Sequence, residues 1–473
     1  MKTWQTWLSF RLWSAVLLLP LSRVEAGVTF TSLYSFTSND DGSNPQAALL
    51  EGSDGYFYGT AFNGGANSSG TIFKISTIGA LTTLYSFTGG SDGSNPQAGL
   101  TQGSGGLFYG TTQSGGAPTN GSPAGTVFQL SPNGPLNTLY SFNTDSYGGN
   151  NGSYPQARLV QASDGYLYGT AFEGGTYGFG NSATNGFGSV FKIGTGGALT
   201  NLYPFTGGAD GAYPAAGLVQ GTDGNFYGTT QAGGTANSGT IFEISSSGVL
   251  TTLYSFTGGN DGGGPLGDLV RGGDGYFYGT TAGGGANSLG TVFKASTNGT
   301  LNTLYSFAGN DDGENPQAGL ALGSDGNFYG STQSGGTNGG GGTLFKITAT
   351  GALTTLYSFT GGNDGSNPQA ALVQGSDGAF YGTTVNGGKS GAGTVFRLSV
   401  GLAGLPKLTI VPSGANVVLK WPSSATGFML ESTASIAPPV AWATNSAPPV
   451  VINGQNTVTI SISGPQLFFR LSQ

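Results

Sequence analysis

Short runs rich in Val, Ile, Thr, Tyr and Phe recur from residue 28 to residue 398, each bounded by Gly, Asn, Asp or Ser. Runs of this length and make-up predict β-strands joined by tight turns. Sustained helical patterning occurs nowhere except at the N-terminus. The pattern is also periodic. Leu-Tyr-Ser-Phe, or its variant with Pro204, begins at Leu33, Leu84, Leu139, Leu202, Leu253, Leu304 and Leu356, at spacings of 51, 55, 63, 51, 51 and 52 residues. Each period holds four strand candidates. In the second full unit these are Pro96–Gln102, Leu107–Thr112, Gly125–Leu130 and Leu136–Phe142. Four short strands in about fifty residues match one blade of a β-propeller.

Turn chemistry sets the order. Asp54, Asp164, Asp223, Asp274, Asp325 and Asp377, each followed by Gly, link the first and second strands. Asp-Gly supplies the backbone angles of a tight hairpin; Gly105-Gly106 takes its place in the second unit. The third-to-fourth link is also short, whereas the second-to-third and inter-unit links are longer and Gly-rich. In an up-and-down blade both long links emerge on one face, where binding functions concentrate. The array starts with a lone fourth strand, Val28–Phe36, and ends on a third strand without a successor. The expectation is an all-β fold: a seven-bladed β-propeller closed by the N-terminal strand, which completes the blade begun at Pro368. Closure would leave no free sheet edge.

The flanks differ. Residues 1–26 read as a signal peptide, with Lys2 and Arg11, an apolar run Leu12–Leu21 and small residues before a cut after Ala26. The propeller is expected over 27–398, a linker over 399–405 and a small β-sandwich-like module over 406–473. Strand patterns in that module include Asn416–Trp421, Thr457–Ile462 and Gln466–Leu471. Trp421 and Trp442 are the only tryptophans after residue 26.

Composition then narrows the chemistry. The chain has no His and no Cys. Ser-His-Asp catalysis, His-ligated metals and thiol chemistry are therefore excluded. The net charge is −8, with only 8% charged residues. Such a surface does not attract phosphate backbones, so nucleic acid is not an expected partner. After residue 26 no apolar stretch is long enough to span a membrane.

Three sets of polar residues are candidate sites. Asp41, Asp92, Asp210, Asp261, Asp312 and Asp364 sit in the inter-unit loops, with Asn151 in the third unit. They read either as a carboxylate ring for a ligand or as side chains capping their own turns, and calcium loops need denser oxygen donors than one Asp per unit. Gln46, Gln97, Gln156, Gln317 and Gln369 open the innermost strand, with Ala215 and Leu266 in the remaining units. These amides would rim a central channel, facing a polar ligand or neighbouring backbone. If there is a single asymmetric site, the third unit is the place for it, since its enlarged loops, Asn143–Ser153 and Glu173–Gly188, carry Asp145 and Glu173; tolerated loop insertion is the alternative and favoured reading. The Phe-Tyr-Gly and Leu-Tyr-Ser-Phe rings read as core. The sequence points to no catalytic residue, metal or cofactor.

The succession Asp-Gly-x-Phe-Tyr-Gly-Thr-Thr, Gly-Gly, Gly-Thr-Val-Phe-Lys and Leu-Tyr-Ser-Phe-Thr-Gly-Gly resembles the bacterial tandem-repeat family called GloVer, over residues 30 to 398. The Phe-Tyr-Gly-Thr core is also similar to blades of regulator-type sensor propellers. The GloVer resemblance implies secretion, often with a C-terminal anchoring segment, and no established enzymatic activity. Residues 406–473 are similar to small β-modules that end many secreted proteins, and lack the apolar helix and basic tail of a membrane-anchoring form. The expected function is non-enzymatic binding of a polysaccharide or cell-surface protein outside the cell or in the periplasm. The alternatives are a polysaccharide lyase or hydrolase using Asp or Glu with Tyr, and a structural matrix protein.

Overall fold

The computed structural model describes residues 27–117, 122–132, 135–144, 151–175, 186–337, 339–400, 408–414, 416–423, 429–433, 443–444, 448–461 and 467–472. The proposed signal peptide, Asp145 and Trp442 lie outside them, as does most of the proposed linker. Every regular element among the described residues is a β-strand. Two compact units are present, Thr29–Ser399 and a second that contains Val400–Gln473.

The described residues of the larger unit form seven four-stranded antiparallel sheets, one per repeat. Taking the repeats to begin at Pro45, Pro96, Pro155, Pro214, Pro265, Pro316 and Pro368, the first has strands Leu50–Glu51, Phe57–Ala61, Thr71–Ile75 and Leu81–Ser86. Leu50 opposes Tyr58, Phe57 opposes Ile75 and Thr71 opposes Ser86. A bulge between Ile72 and Phe73 shifts the last pairing, and it recurs at Val190/Phe191, Ile241/Phe242, Val292/Phe293 and Leu344/Phe345. Gly59 keeps the second strand bare so that the Phe73 ring can lie across it. A Cβ there would stand 2.6 Å from that ring and 2.7 Å from Leu49. In the seventh sheet the strands Val373–Gln374, Phe380–Thr384 and Thr394–Val400 take Val28–Ser35 as their fourth member.

The first strand is shorter than the sequence predicts. Only Thr101–Gln102 of Pro96–Gln102 joins the ladder. Pro96 has no N–H to donate, and the carbonyls before the strand are taken by the neighbouring repeat instead. Thr60, Thr111, Thr170, Thr280 and Thr383 donate through Oγ1 to the carbonyls of Ala98, Ala157, Ala216, Ala318 and Ala47, at 2.8–3.4 Å. The last of these joins the seventh repeat to the first.

Core formation lies mainly between sheets. Tyr58 packs on Phe108, Tyr168 on Phe226, Tyr227 on Phe277, Tyr278 on Phe328, Tyr329 on Phe380 and Tyr381 on Phe57, with centroids 3.9–4.4 Å apart. Tyr109 meets Leu167 in the one junction without a Phe. These rings are almost fully buried, as the reading of the Phe-Tyr-Gly motif as core requires. Each such ring carries the largest apolar area its strand has to offer, so face-to-face packing of sheets is the main stabilising term.

In the C-terminal unit, Thr409–Ser413, Asn416–Pro422, Gln455–Ser461 and Val450–Ile452 form one sheet in that order. Ala443–Thr444, Met429–Thr433 and Phe468–Ser472 form another. Leu419, Trp421 and Val458 of the first share a core with Leu430, Phe469 and Leu471 of the second.

Candidate functional site

The repeated aspartates are engaged inside their own repeats. Asp261 accepts from the Tyr254 hydroxyl at 3.0 Å, from the Thr257 amide at 2.8 Å and from the Thr257 hydroxyl. Asp41, Asp210 and Asp364 are held in the same way. Asp92 has the same three donors; Asp312 accepts from the Tyr305 hydroxyl and the Ala308 amide, but with Ala308 in place of threonine its Oδ1 is buried without a partner. At the end of the second repeat Asn151 donates to the Tyr140 hydroxyl at 2.8 Å. The hairpin aspartates hold a second tyrosine, as Asp274 holds Tyr278 at 2.7 Å. Burial, then the hydrogen bond to a carboxylate, raises these phenols: Tyr254 to about 12, and Tyr278 higher still. Apart from Oδ1 of Asp312, the carboxylates described above are taken up by their own turns and tyrosines. No group of three or more carboxylates is placed to hold a metal among the described residues.

The glutamines converge. Gln46, Gln97, Gln156, Gln317 and Gln369 line one cavity of about 100 Å³, together with Ala215, Leu266 and the residues that follow each. All seven repeats contribute. Beside the glutamines the two long loops of each repeat meet in a backbone bridge, for example Ser43 with Asn63 and Ser366 with Asn386. The loop-bearing face is thus also the glutamine face.

A chain of side-chain amides runs along this face from the end of the fifth repeat through the sixth and seventh to the end of the first. Asn95 donates to Asn63, Asn63 to Asn44 and Asn386 to Asn367, at 3.1–3.2 Å. Asn44 reaches the Val385 carbonyl at 3.0 Å, and Asn367 the Gln333 carbonyl at 3.1 Å. Gln333 Oε1 accepts from both Asn315 and Gln317, at 2.6 and 2.7 Å. An amide has two donor hydrogens and two acceptor lone pairs, so most members keep capacity for a ligand.

Around the third to fifth repeats the periodic chemistry breaks. Arg158 and Asp268 take the second position after the Gln site, which elsewhere holds Ala or Gly. Both line the cavity, 3.7 Å apart, and Asp268 also accepts from the Gly217 amide at 2.6 Å. Leu266-Gly267 replaces Gln-Ala in the fifth repeat, and the facing Thr229 hydroxyl is buried without a hydrogen-bond partner. The asymmetry visible in the sequence is that of the third repeat's enlarged loops. There Glu173 is half-buried and bridges Ser153 through its backbone; the structure does not bring it to the glutamines' cavity. Arg158 and Asn44, with its equivalents, were not singled out. Their signal was available: a charge where sister repeats hold a small residue, and Asn before every repeat proline except three.

The sequence matches the Gloeobacter/Verrucomicrobia repeat over residues 21–182, 180–322 and 258–409. The chain belongs to the Gloeobacter/Verrucomicrobia repeat family. No curated protein sequence matches it. Solved structures of related shape include a structural-genomics target described as a candidate gluconolactonase, at 13% identity and a TM-score of 0.41, covering 79% of this chain and 93% of that one. A luciferin-regenerating enzyme follows at 10% identity and 0.38, covering 79% and 95%. Dipeptidyl peptidase 4 of Porphyromonas gingivalis has the same identity and score, covering 82% of this Gloeobacter/Verrucomicrobia repeat protein and 65% of the peptidase.

Proposed function

We propose that this repeat protein is a secreted, closed seven-bladed β-propeller that binds a polysaccharide on its loop-bearing face, without catalysis, and carries a small β-sandwich module after the ring. Closure is supported by the junction between the seventh and first repeats. Val28–Ser35 joins the seventh sheet, Tyr381 stacks on Phe57 at 4.0 Å, the Asn44 amide donates to the Ala392 carbonyl at 2.8 Å, and Glu51 accepts from Ser376. Export is supported by the charged start, apolar run and small residues that end at Ala26.

The observation that carries the binding reading is the amide-lined cavity mouth. Neutral donors and acceptors from several repeats face one opening, which suits a polyhydroxylated, uncharged ligand. Binding rather than hydrolysis follows from the carboxylates, since the repeated ones are acceptors for tyrosine and threonine rather than an opposed acid pair. The test uses Gln46→Leu with Gln369→Leu, which copies Leu266 of the fifth repeat and so preserves the fold. On a glycan array the parent chain is expected to retain a neutral polysaccharide, and the double variant to lose it. Retention of nothing by the parent, or release of products, would overturn the reading.

A further inference from the structure

The residue before each repeat proline is left-handed, with φ between 54° and 65° at Asn44, Asn95, Tyr154, Tyr213, Gly264, Asn315 and Asn367. Asn and Gly tolerate that region; a bulky ring does not favour it. Two tyrosines are therefore kept against local preference, and outliers of this kind cluster at functional sites. The Tyr213 ring lies against Phe172, with centroids 5.3 Å apart and planes at 32°, and against Phe187 at 6.0 Å. All three are half-buried. Phe172 follows the second strand of its repeat, where the first repeat also has a phenylalanine, Phe62, and the other five hold Gln113, Gln231, Ala282, Gln333 or Val385; only at Phe172 does the residue before the next repeat's proline add a tyrosine, Tyr213, as a ring partner. The Phe172 amide donates to the Tyr154 carbonyl, just as the Gln333 amide donates to the Asn315 carbonyl across the face. The aromatic group thus occupies the same tier as the amide chain.

We propose that Tyr213, Phe172 and Phe187 form a stacking subsite for one pyranose ring of a neutral polysaccharide. This rests on the binding function proposed above and names the subsite that orients the chain. A pyranose offers a C–H face to an aromatic ring and hydroxyls at its edge, and the loop face supplies rings on one arc and amides on the other. The ligand is neutral because the cavity's facing charges, Arg158 and Asp268, are already paired with each other.

The experiment uses the full exported chain and neutral probes: cello-, xylo-, manno- and laminarihexaose, titrated calorimetrically. The variants are Tyr213→Asn and Phe172→Val, each a residue that a sister repeat carries at that position. Expected are a roughly tenfold or greater loss of affinity in each and a melting temperature no lower than the parent's. Undiminished affinity in both variants, with the Gln46→Leu/Gln369→Leu variant still impaired, would overturn the subsite alone. Lost affinity with a melting temperature several degrees lower would assign the rings to packing and also overturn it. No binding of any probe by the parent would remove both the subsite and the reading beneath it.

Discussion

At the scale of single residues, the protein is a collection of tyrosine–aspartate pairs. Burial raises Asp223, Asp261, Asp325, Asp364 and Asp377, but hydrogen bonds outweigh it and leave each below the usual 3.8. A carboxyl depressed in the fold stabilises above its unfolded pKa, and that stability is lost as pH falls through the folded value. The partner tyrosines move the other way, with Tyr34, Tyr58, Tyr85, Tyr254, Tyr305 and Tyr381 raised from 10.0 to about 12. A raised phenol stabilises fully below pH 10 and loses its contribution as pH climbs toward the folded value. Urea midpoints are therefore expected to be flat across neutral pH, to fall below about pH 4 and to fall again above about pH 10. Tyrosinate absorbance should appear together with unfolding at the alkaline limb. Ionisation of these phenols at pH 10 in a chain that stays folded would contradict the pairing.

Elements differ in how far local rules govern them. The second and third strands follow their predicted ranges closely, because β-branched and aromatic residues fill them and Gly-rich turns stop them. The first strand follows poorly. Its opening residues look like strand in the sequence, yet an alanine carbonyl among them accepts from a threonine of the preceding repeat, a contact that pattern cannot reveal. The hairpin of the second repeat tests the local rule directly. Gly105 stands where six repeats have Asp, and Tyr109 has no carboxylate beside it, its phenol being raised by burial alone. A Cβ at Gly105 would meet nothing within 4 Å. Gly105→Asp is expected to stabilise by about 1 kcal/mol, from a new acceptor for Tyr109 and lower unfolded-state entropy. Chemical denaturation would measure it, and an unchanged or lower midpoint would count against the hairpin's role.

At the scale of the molecule, a Tyr-on-Phe stack joins six of the seven described junctions, including that between the seventh and first repeats. Phe30, on the strand Val28–Ser35, stacks on Tyr357 at 4.0 Å and lies 5.4 Å from Phe396. Removing residues 27–36 would bare the edge of Thr394–Val400 and empty that aromatic site. Expected results are a melting temperature lower by ten degrees or so and concentration-dependent aggregation through the free edge. A monomeric truncation with unchanged melting would argue against closure. Trp421 reports on the C-terminal unit, so its fluorescence should not follow the larger unit's loss of tyrosine circular dichroism.

By itself, the sequence determined the repeat, its strands, its tight turns and the burial of its Phe-Tyr-Gly rings. Each is a local demand, set by side-chain period or by backbone angles that Gly, Asn and Asp meet. It also marked the glutamines, because their position after proline recurs. Only the tertiary structure decided what meets across repeats: Arg158 with Asp268, Tyr213 with Phe172, and Asn95 through to Gln333. These groups are distant along the chain and become neighbours only when sheets pack, and no period in the sequence encodes the distance between them.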